Sequence, residues 1–361
     1  MPRIAVFTKN RTNPAYEAAR LGADRTAARL GALTVHYVPE QPDSVAEQIA
    51  LIERAIAERP DAAVFVPVDE TAVNDAILGF DRASIPLFNI ITRTTAGRRI
   101  TFVGSDDRVL AKNIARTLFA RLGRRDTIII LEGTPASATS GERLLGFQDA
   151  LAEYPGINVR NSLRGDYQRD IARNVFLGAK AQWPGVAAVL CANDVMALGV
   201  IDALETGTAR PLVTGVNAIP EAVAAIAAGR MLATADFNAM AMCEIATEAA
   251  VRHLRGETIP PEIVLPVQVV DAANCAAWNA PFAAGRGRRR AFENDDRAAA
   301  GQLAEQITRN VARQRAEPAI LGLRRQRQPD AALGIGRIVK DHGVRGMLLI
   351  APHLRVQAFL L

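Results

Sequence analysis

The chain has 361 residues, of which 49% are hydrophobic and 22% charged, and its formal net charge is +5. No apolar run approaches the ~20 residues that a helix needs to span a bilayer, so the composition favours a soluble globular protein. The charge is unevenly distributed, because residues 283–361 carry +8 and the remainder carries −3. A body without a basic excess argues against nucleic acid as a partner.

Apolar runs of strand length alternate with amphipathic helical stretches up to about residue 270. The runs lie at residues 4–7, 62–66, 87–91, 127–131, 186–191 and 212–216. The stretches between them include residues 16–30, 44–57 and 138–151. This alternation predicts an α/β fold in which parallel sheets carry helices on both faces.

The length of this alternating body suits two units rather than one. The first three strand-helix repeats fit one lobe, and a second set begins near Asp106. A helical stretch at residues 240–255 has no separate core, so we expect it to return to the first lobe. The predicted N-terminal lobe is residues 1–105 and 238–262, and the predicted C-terminal lobe is residues 106–237 and 263–272.

The two ends of the chain follow a different pattern. Residues 283–361 are Arg-rich and poor in aromatic residues, which predicts a flexible extension, because such segments seldom bury enough surface to offset their ordering entropy. A small packed appendage, an arm for nucleic acid or membrane surfaces, or an unrelated translated frame are the alternatives. No apolar leader precedes the first strand, so we expect a cytoplasmic chain or a mature chain whose leader has been removed.

Polar side chains follow several of the predicted strands. Asn193 and Asp194 come directly after the run at 186–191, where a helix begins. In open α/β sheets ligands bind beyond the carboxyl ends of the strands, although an Asn-Asp pair also makes an ordinary helix cap. Comparable positions are held by Lys9, Asn10, Asn13, Tyr16, Thr92, Arg93, Asp106 and Asp107, and Arg143 lies on a helix that begins nearby. These residues predict a ligand cleft between the lobes.

Several segments in a fixed order carry a family resemblance over roughly residues 3–270. They read NPAYEAARLGA, VPVDETAVNDAI, IPLFNI, FVGSDD, GERLLGFQDAL, AVLCANDVMALGVIDAL and VTGVNAIPEAVAAIAAGRMLATAD. The chain thereby resembles the ribose-binding-type periplasmic solute-binding proteins, the sugar-binding components of ABC transporters. The resemblance implies two similar α/β lobes joined by three crossing segments, with a small carbohydrate enclosed by hinge closure.

The same resemblance implies a set of ligand-binding residues and partners. The matching positions are Lys9, Asn10, Asn13, Tyr16, Thr92, Arg93, Asp106, Arg143, Tyr167, Asn193, Asn217 and Phe237. Asp106 is expected to organise the hinge or the cleft edge rather than touch the ligand. The partners implied are a carbohydrate and the membrane permease of an ABC importer, for a monomeric periplasmic protein without cofactor or metal.

Two departures from the family's pattern bear on the ligand. Family members often carry Asp where this chain has Ile91-Thr92, and again where it has Asn217. Fewer carboxylates change which hydroxyls can be paired, and Phe237 makes the site smaller or more apolar. With Lys9, Arg93 and Arg143 present, an anionic ligand such as a sugar acid is an alternative to a neutral sugar or polyol.

Three other functions compete with this interpretation. Catalysis has little support, because the four histidines are scattered and no nucleophile elbow or phosphate-binding loop occurs. A LacI-type regulator shares the fold but needs a helix-turn-helix domain before the first strand, where this chain has none. A sensor that presents its liganded form to a membrane receptor would use the same cleft. The cysteines at 191, 243 and 275 lack metal-ligand spacing and predict small buried side chains.

Overall fold

A computed structural model of the chain describes residues 1–278 except 136 and 206. The expected Arg-rich extension at 283–361 lies outside the described residues. Within them the chain forms two six-stranded sheets, each associated with helices. No described helix is both long and apolar enough to cross a membrane.

The first sheet is entirely parallel and has the order β11-β5-β4-β3-β1-β2. Its strands are β1 (Arg3–Phe7), β2 (Leu33–Tyr37), β3 (Ala62–Phe65), β4 (Leu87–Ile90), β5 (Arg99–Gly104) and β11 (Glu262–Val264). One face packs Phe7 and Phe65 against Ile52 and Phe80 of two covering helices. Alternate residues point to opposite faces of a strand, so β3 and β4, in which every residue is buried, are covered on both faces.

The second sheet has the order β12-β10-β9-β8-β6-β7 and differs from the first at one edge. Its strands are β6 (Arg125–Glu132), β7 (Gly156–Arg164), β8 (Ala188–Cys191), β9 (Leu212–Val216), β10 (Ala233–Asp236) and β12 (Gln268–Asp271). The edge strand β12 pairs antiparallel with β10, whereas all other pairs are parallel. The predicted α/β class with parallel-dominated sheets is confirmed.

Five of the nine described α-helices begin at a residue whose side chain caps them. Their bounds are α1 (Pro14–Leu30), α2 (Val45–Glu58), α3 (Asn74–Arg82), α4 (Asp107–Arg121), α5 (Ala138–Glu153), α6 (Arg169–Gly178), α7 (Asp194–Leu204), α8 (Pro220–Ala227) and α9 (Ala239–Leu254). Asn13 accepts a hydrogen bond from Ala15 N, and Pro14 follows at the first helical position, where its missing N–H costs nothing. Asn193 accepts from Met196 N in the same way at α7. These caps lie at the carboxyl ends of strands, where the cleft is expected.

Three segments connect the two sheets: residues 105–106, 237–238 and 265–267. Helix α9 follows the second of them and packs on α1 and on strands β3, β4 and β5 of the first sheet, as expected. The third crossing corrects our boundary at residue 263, because Ile263 pairs with Val103 in the first sheet. Residues 262–271 form two strands in different sheets, β11 and β12. Pro266 lies between them, and proline cannot donate a ladder hydrogen bond.

Candidate functional site

A cavity of about 80 Å³ lies where the carboxyl ends of strands from both sheets meet. Nine of its lining residues were predicted from the sequence: Lys9, Asn10, Asn13, Tyr16, Arg143, Tyr167, Asn193, Asn217 and Phe237. Eight more complete the lining: Asp43, Val45, Val68, Asp69, Ile91, Thr134, Ser137 and Thr139. Each lobe therefore supplies both polar groups and an aromatic ring to one enclosed space.

Three predicted residues, Thr92, Arg93 and Asp106, lie in a neighbouring groove instead. Arg93 is exposed, stacks on the Phe102 ring at 3.8 Å and pairs with Glu262 at 2.5 Å. Asp106 caps helix α4 by accepting from Val109 N at 2.9 Å. Ile91, with a φ of 63°, lines both the cavity and this groove, whereas Thr92 lines only the groove. A left-handed β-branched residue is not readable from sequence.

Arg143 is the buried cation of the second lobe. Its Nε donates to Asp107 Oδ1 at 2.8 Å and its Nη1 donates to the carbonyl of Ala192 at 2.7 Å. Burial lowers the pKa of the guanidinium, but the attraction and hydrogen bond of Asp107, together with the nearby Tyr167 and Tyr16, outweigh burial and the pKa rises. Gly146 lets α5 approach α4 closely, because a Cβ there would collide with the carbonyl of Arg108. The charge of Arg143 is thus balanced and its orientation fixed within its own lobe.

Lys9 is the corresponding cation of the first lobe and is held differently. Its Nζ donates to Ser137 Oγ of the second lobe at 3.1 Å. Burial lowers its pKa to about 8, with Asp43 opposing that shift and Arg143 adding to it. Burial also raises the pKa of Asp43, whose Oδ1 accepts from Asn10 Nδ2 at 3.0 Å. Lys9 therefore crosses the cleft between the lobes.

A chain of hydroxyl groups continues from Lys9 along the second lobe. Ser137 Oγ lies 2.9 Å from Thr139 Oγ1, which lies 3.4 Å from the Tyr167 hydroxyl. Hydroxyls can donate and accept, so the chain can adapt to a ligand's own hydroxyl groups. Nothing in the spacing of these residues identified the two shorter members beforehand, since the segment 134–139 follows a strand without a marked motif.

Amide side chains supply the remaining polar groups. The Nδ2 of Asn193 points to the carbonyl of Tyr167 at 3.4 Å while its Oδ1 caps α7. Asn13 likewise caps a helix and lines the cavity, so the cap and ligand interpretations of both residues are compatible. Asn217 is buried, and among the described residues its Oδ1 has no hydrogen-bond partner. A buried acceptor without a partner is costly, and a ligand hydroxyl would satisfy it.

Four residues of the lining adopt left-handed backbone conformations. Their φ angles are 59° at Asp43, 63° at Ile91, 60° at Tyr167 and 124° at Asn217. Such conformations cost of order 1–3 kcal/mol for residues other than glycine and cluster at functional sites. The strain therefore marks the same cavity that the polar side chains mark.

The charges around the cavity bear on whether its ligand is neutral or anionic. Arg143 faces Asp107, Arg93 faces Glu262, and Lys9 is opposed by Asp43. Asp69 adds a further carboxylate, whose pKa is lowered because hydrogen bonds from Ala72 and Thr71 outweigh desolvation. The cations thus have carboxylate counterparts, which favours a neutral ligand over an anionic one. No group of three or more potential metal ligands occurs in the described part of the chain.

A comparison with known protein families places the chain. The family of the periplasmic binding protein domain matches residues 4–258, which is most of the chain. The chain therefore belongs to the periplasmic binding protein domain family. Its two parallel-dominated lobes and the cavity between them agree with that membership.

Individual relatives show which kind of periplasmic binding protein the chain resembles. The ribose import binding protein of Salmonella typhimurium is 28% identical over 269 residues, which cover 74% of this chain and 90% of that protein. The xylitol-binding protein of Mycolicibacterium smegmatis is 24% identical over 238 residues, covering 65% and 68% respectively. A solved ABC-transporter solute-binding protein of Actinobacillus succinogenes with bound D-allose has a TM-score of 0.73 and 28% identity, covering 76% of this chain and 99% of that one. The chain is similar to ribose-binding-type solute-binding proteins in both sequence and structure.

Proposed function

We propose that the protein captures a small neutral sugar or polyol between its two lobes and delivers it, unaltered, to the membrane permease of an ABC importer. Asn10, Asn13 and Asp43 bind from the first lobe, and Arg143, Asn193 and Asn217 bind from the second. Hinge closure follows from this division, because a ligand that contacts both lobes at once stabilises the closed arrangement over the open one. The protein acts in the periplasm as a monomer.

One observation carries the proposal: polar groups of both lobes converge on a small cavity whose cations have carboxylate counterparts. Neutral hydroxyl groups can both donate and accept, so they suit a lining of amides, hydroxyls and paired charges. The unpartnered Oδ1 of Asn217 supplies an acceptor for one of them. Because the cations already have carboxylate counterparts, the charge of an added anion would be uncompensated, and this favours a neutral ligand.

The aromatic residues support a carbohydrate in particular. Tyr16 and Tyr167 line the cavity from opposite lobes, and Phe237 adds a third ring. Aromatic faces pack against the C–H faces of sugar rings, while the ring hydroxyls find hydrogen-bond partners at the edges. The Arg143 guanidinium lies over the Tyr167 and Phe237 rings, 5.8 and 5.7 Å from their centroids.

The relatives support the same class of ligand. Two relatives are named as ribose- and xylitol-binding proteins, and a solved relative holds D-allose. One is named as an import binding protein and another as an ABC-transporter solute-binding protein, which favours transport over the LacI-type regulator that shares the fold.

A thermal-shift screen tests the proposal. Neutral ligands are D-ribose, D-allose, D-arabinose, xylitol and myo-inositol, and the comparison set is D-gluconate, D-glucuronate and a mixture of amino acids. A ligand present at 100 times its dissociation constant stabilises the folded protein by about 2.7 kcal/mol, which raises the melting temperature measurably. We expect at least one neutral carbohydrate to do so. A shift with sugar acids or amino acids alone contradicts the proposal.

A further inference from the structure

Asp194 is a buried carboxylate that does not line the cavity. It is fully buried and begins helix α7, directly after the cavity residue Asn193. Burial raises its pKa to about 7, although two hydrogen bonds oppose the shift. A buried ionisable group is costly, so its position calls for an explanation beyond capping, which Asn193 already provides.

The carboxylate holds the turn that follows strand β9. Its Oδ2 accepts from the backbone N–H of Ile219 at 3.0 Å, and its Oδ1 accepts from the Thr234 hydroxyl at 2.6 Å. Thr234 Oγ1 in turn accepts from the N–H of Ala218 at 3.3 Å. Two consecutive N–H groups of this turn are therefore bound, directly or through one hydroxyl, to Asp194.

Strand β9 is shaped to admit the carboxylate. A Cβ on Gly215 would collide with the side chain of Asp194, so only glycine permits this approach. The contact joins the first turn of α7, next to Asn193, to the turn that carries Asn217. Two amide residues of the cavity are thus linked through one buried group.

The turn needs such support because its backbone is strained. Asn217 has a φ of 124° and Ala218 a φ of 50°, which both disfavour residues other than glycine. The N–H of Asn217 donates to the carbonyl of Ala235 at 2.8 Å and fixes the start of the turn. Strained conformations persist only where surrounding contacts determine them, and here Asp194 and Thr234 supply those contacts.

We infer that Asp194, acting through the Thr234 hydroxyl and the backbone of residues 218–219, is a positioning residue that holds Asn217 against the ligand. This inference rests on the proposed function, since it assumes that Asn217 contacts the ligand. Asp194 acts without touching the ligand itself. Its loss lets the turn relax to an unstrained conformation in which the amide of Asn217 leaves the cavity.

Two buried threonines on neighbouring strands provide a matched test. Thr234 of β10 bridges Asp194 to the turn, whereas the hydroxyl of Thr214 on β9 has no hydrogen-bond partner among the described residues. Thr234→Val and Thr214→Val make the same nearly isosteric change. The probe is whichever of D-ribose, D-allose and xylitol the wild type binds most tightly, and affinity is measured by calorimetric titration. We expect Thr234→Val to weaken binding about tenfold, or about 1.4 kcal/mol, with Thr214→Val and the hydroxyl-retaining Thr234→Ser close to wild type.

A double-mutant cycle separates positioning from general destabilisation. Asp194→Ala is combined with Asn217→Ala, and affinity is measured well below the melting temperature of each variant. If Asp194 acts through Asn217, its replacement weakens binding in the wild-type background and has no further effect once Asn217 is gone. Additive losses, or equal losses for Thr234→Val and Thr214→Val, overturn the inference while leaving sugar binding intact. Absence of binding to all three probes by the wild type overturns it together with the proposed function.

Discussion

The two lobes contribute to the cavity in different ways. In the second lobe, Arg143 is bonded to Asp107 and to a backbone carbonyl of the same lobe, and Asn193 is fixed as a helix cap. In the first lobe, Asp43 and Asn13 are only half-buried, and Lys9 donates its hydrogen bond across the cleft to Ser137. Arg143 and Asn193 of the second lobe are therefore held by contacts within that lobe, whereas Lys9 of the first lobe forms its hydrogen bond with the second lobe.

This difference indicates a division of roles in binding. A lobe whose polar groups are already oriented loses little entropy when a ligand arrives. A lobe whose cation bonds across the cleft links ligand capture to the approach of the two lobes. We therefore expect substitutions in the second lobe to affect folding and binding together, and substitutions in the first lobe to affect mainly binding.

The largest effect is expected for Arg143→Ala. The change leaves Asp107 buried without its partner, and breaking such a pair costs about 3–5 kcal/mol of the free energy of unfolding. Urea unfolding followed by circular dichroism measures it. Arg108→Ala is the matched control, because Arg108 also joins α4 to α5 through Asp149 but is exposed. Equal stability of the two variants would show that Arg143 is not organised within its lobe.

A smaller effect on stability is expected for Asn193→Ala. The variant loses the cap of α7, worth typically about 1 kcal/mol, and also loses the cavity amide. Asn193→Ser separates the two roles, because serine caps helices well but is too short to present an amide to the ligand. We expect the serine variant to unfold like the wild type in urea and to bind the carbohydrate as weakly as the alanine variant. Wild-type affinity in Asn193→Ser would reduce Asn193 to a cap.

Lys9→Met sharpens the contrast from the first lobe. It should weaken ligand binding by about 1.5–3 kcal/mol, the range for a hydrogen bond from a charged donor, without destabilising the fold. The pKa of Lys9 is about 8 in the folded chain, below its ordinary value of 10.5, so its proton opposes folding below pH 8. Wild-type stability should therefore gain from this group as pH rises from about 8 towards 10.5, while affinity declines above pH 8.

Titration calorimetry and urea unfolding at pH 7, 8 and 9.5 check both halves of that prediction. Lys9→Met should remove the decline of affinity above pH 8 and this group's gain in stability between pH 8 and 9.5, because the titrating ammonium is gone. Asp43, Asp107, Asp69 and Arg143 are the charged groups that act on Lys9, and all of them remain in the variant. An affinity that still declines above pH 8 in Lys9→Met would assign the titration to another group.

The smallest effect is expected for Arg93→Ala. Its exposed pair with Glu262 is worth at most ~1 kcal/mol, and its side chain lies outside the cavity. Affinity for the carbohydrate should equal that of the wild type by titration calorimetry. A clear loss of affinity would restore Arg93 to the site and place the ligand partly in the neighbouring groove.

Much of this architecture was readable from the sequence, for physical reasons. Fully buried parallel strands leave continuous apolar runs, and the residues that follow them, such as Asn193 and Asn217, fall at the cleft by topology alone. Less apolar strands were missed: β2 is only partly buried and β7 is largely exposed along its length. Asp43 follows the unpredicted strand β2, so its place in the cavity could not be inferred.

What the sequence could not reveal depends on backbone conformation and long-range contact. Ile91, which has a left-handed φ, lines the cavity where Thr92 was expected, and no residue preference in this segment indicates that conformation. The pairing of Arg143 with Asp107 joins residues 36 positions apart, and this pairing favours the expected neutral ligand over the anionic alternative. Pro266 was the one sequence signal that residues 262–271 form two strands rather than one.

The most direct test of the central claim is a calorimetric titration that compares one variant from each lobe with the wild type. The ligand is the neutral carbohydrate that gives the largest melting shift, and the variants are Lys9→Met and Asn217→Ala. The account predicts that each variant binds about tenfold or more weakly, because one ligand contacts both lobes in one cavity. Wild-type affinity in either variant would show that the ligand does not bridge the lobes at this cavity.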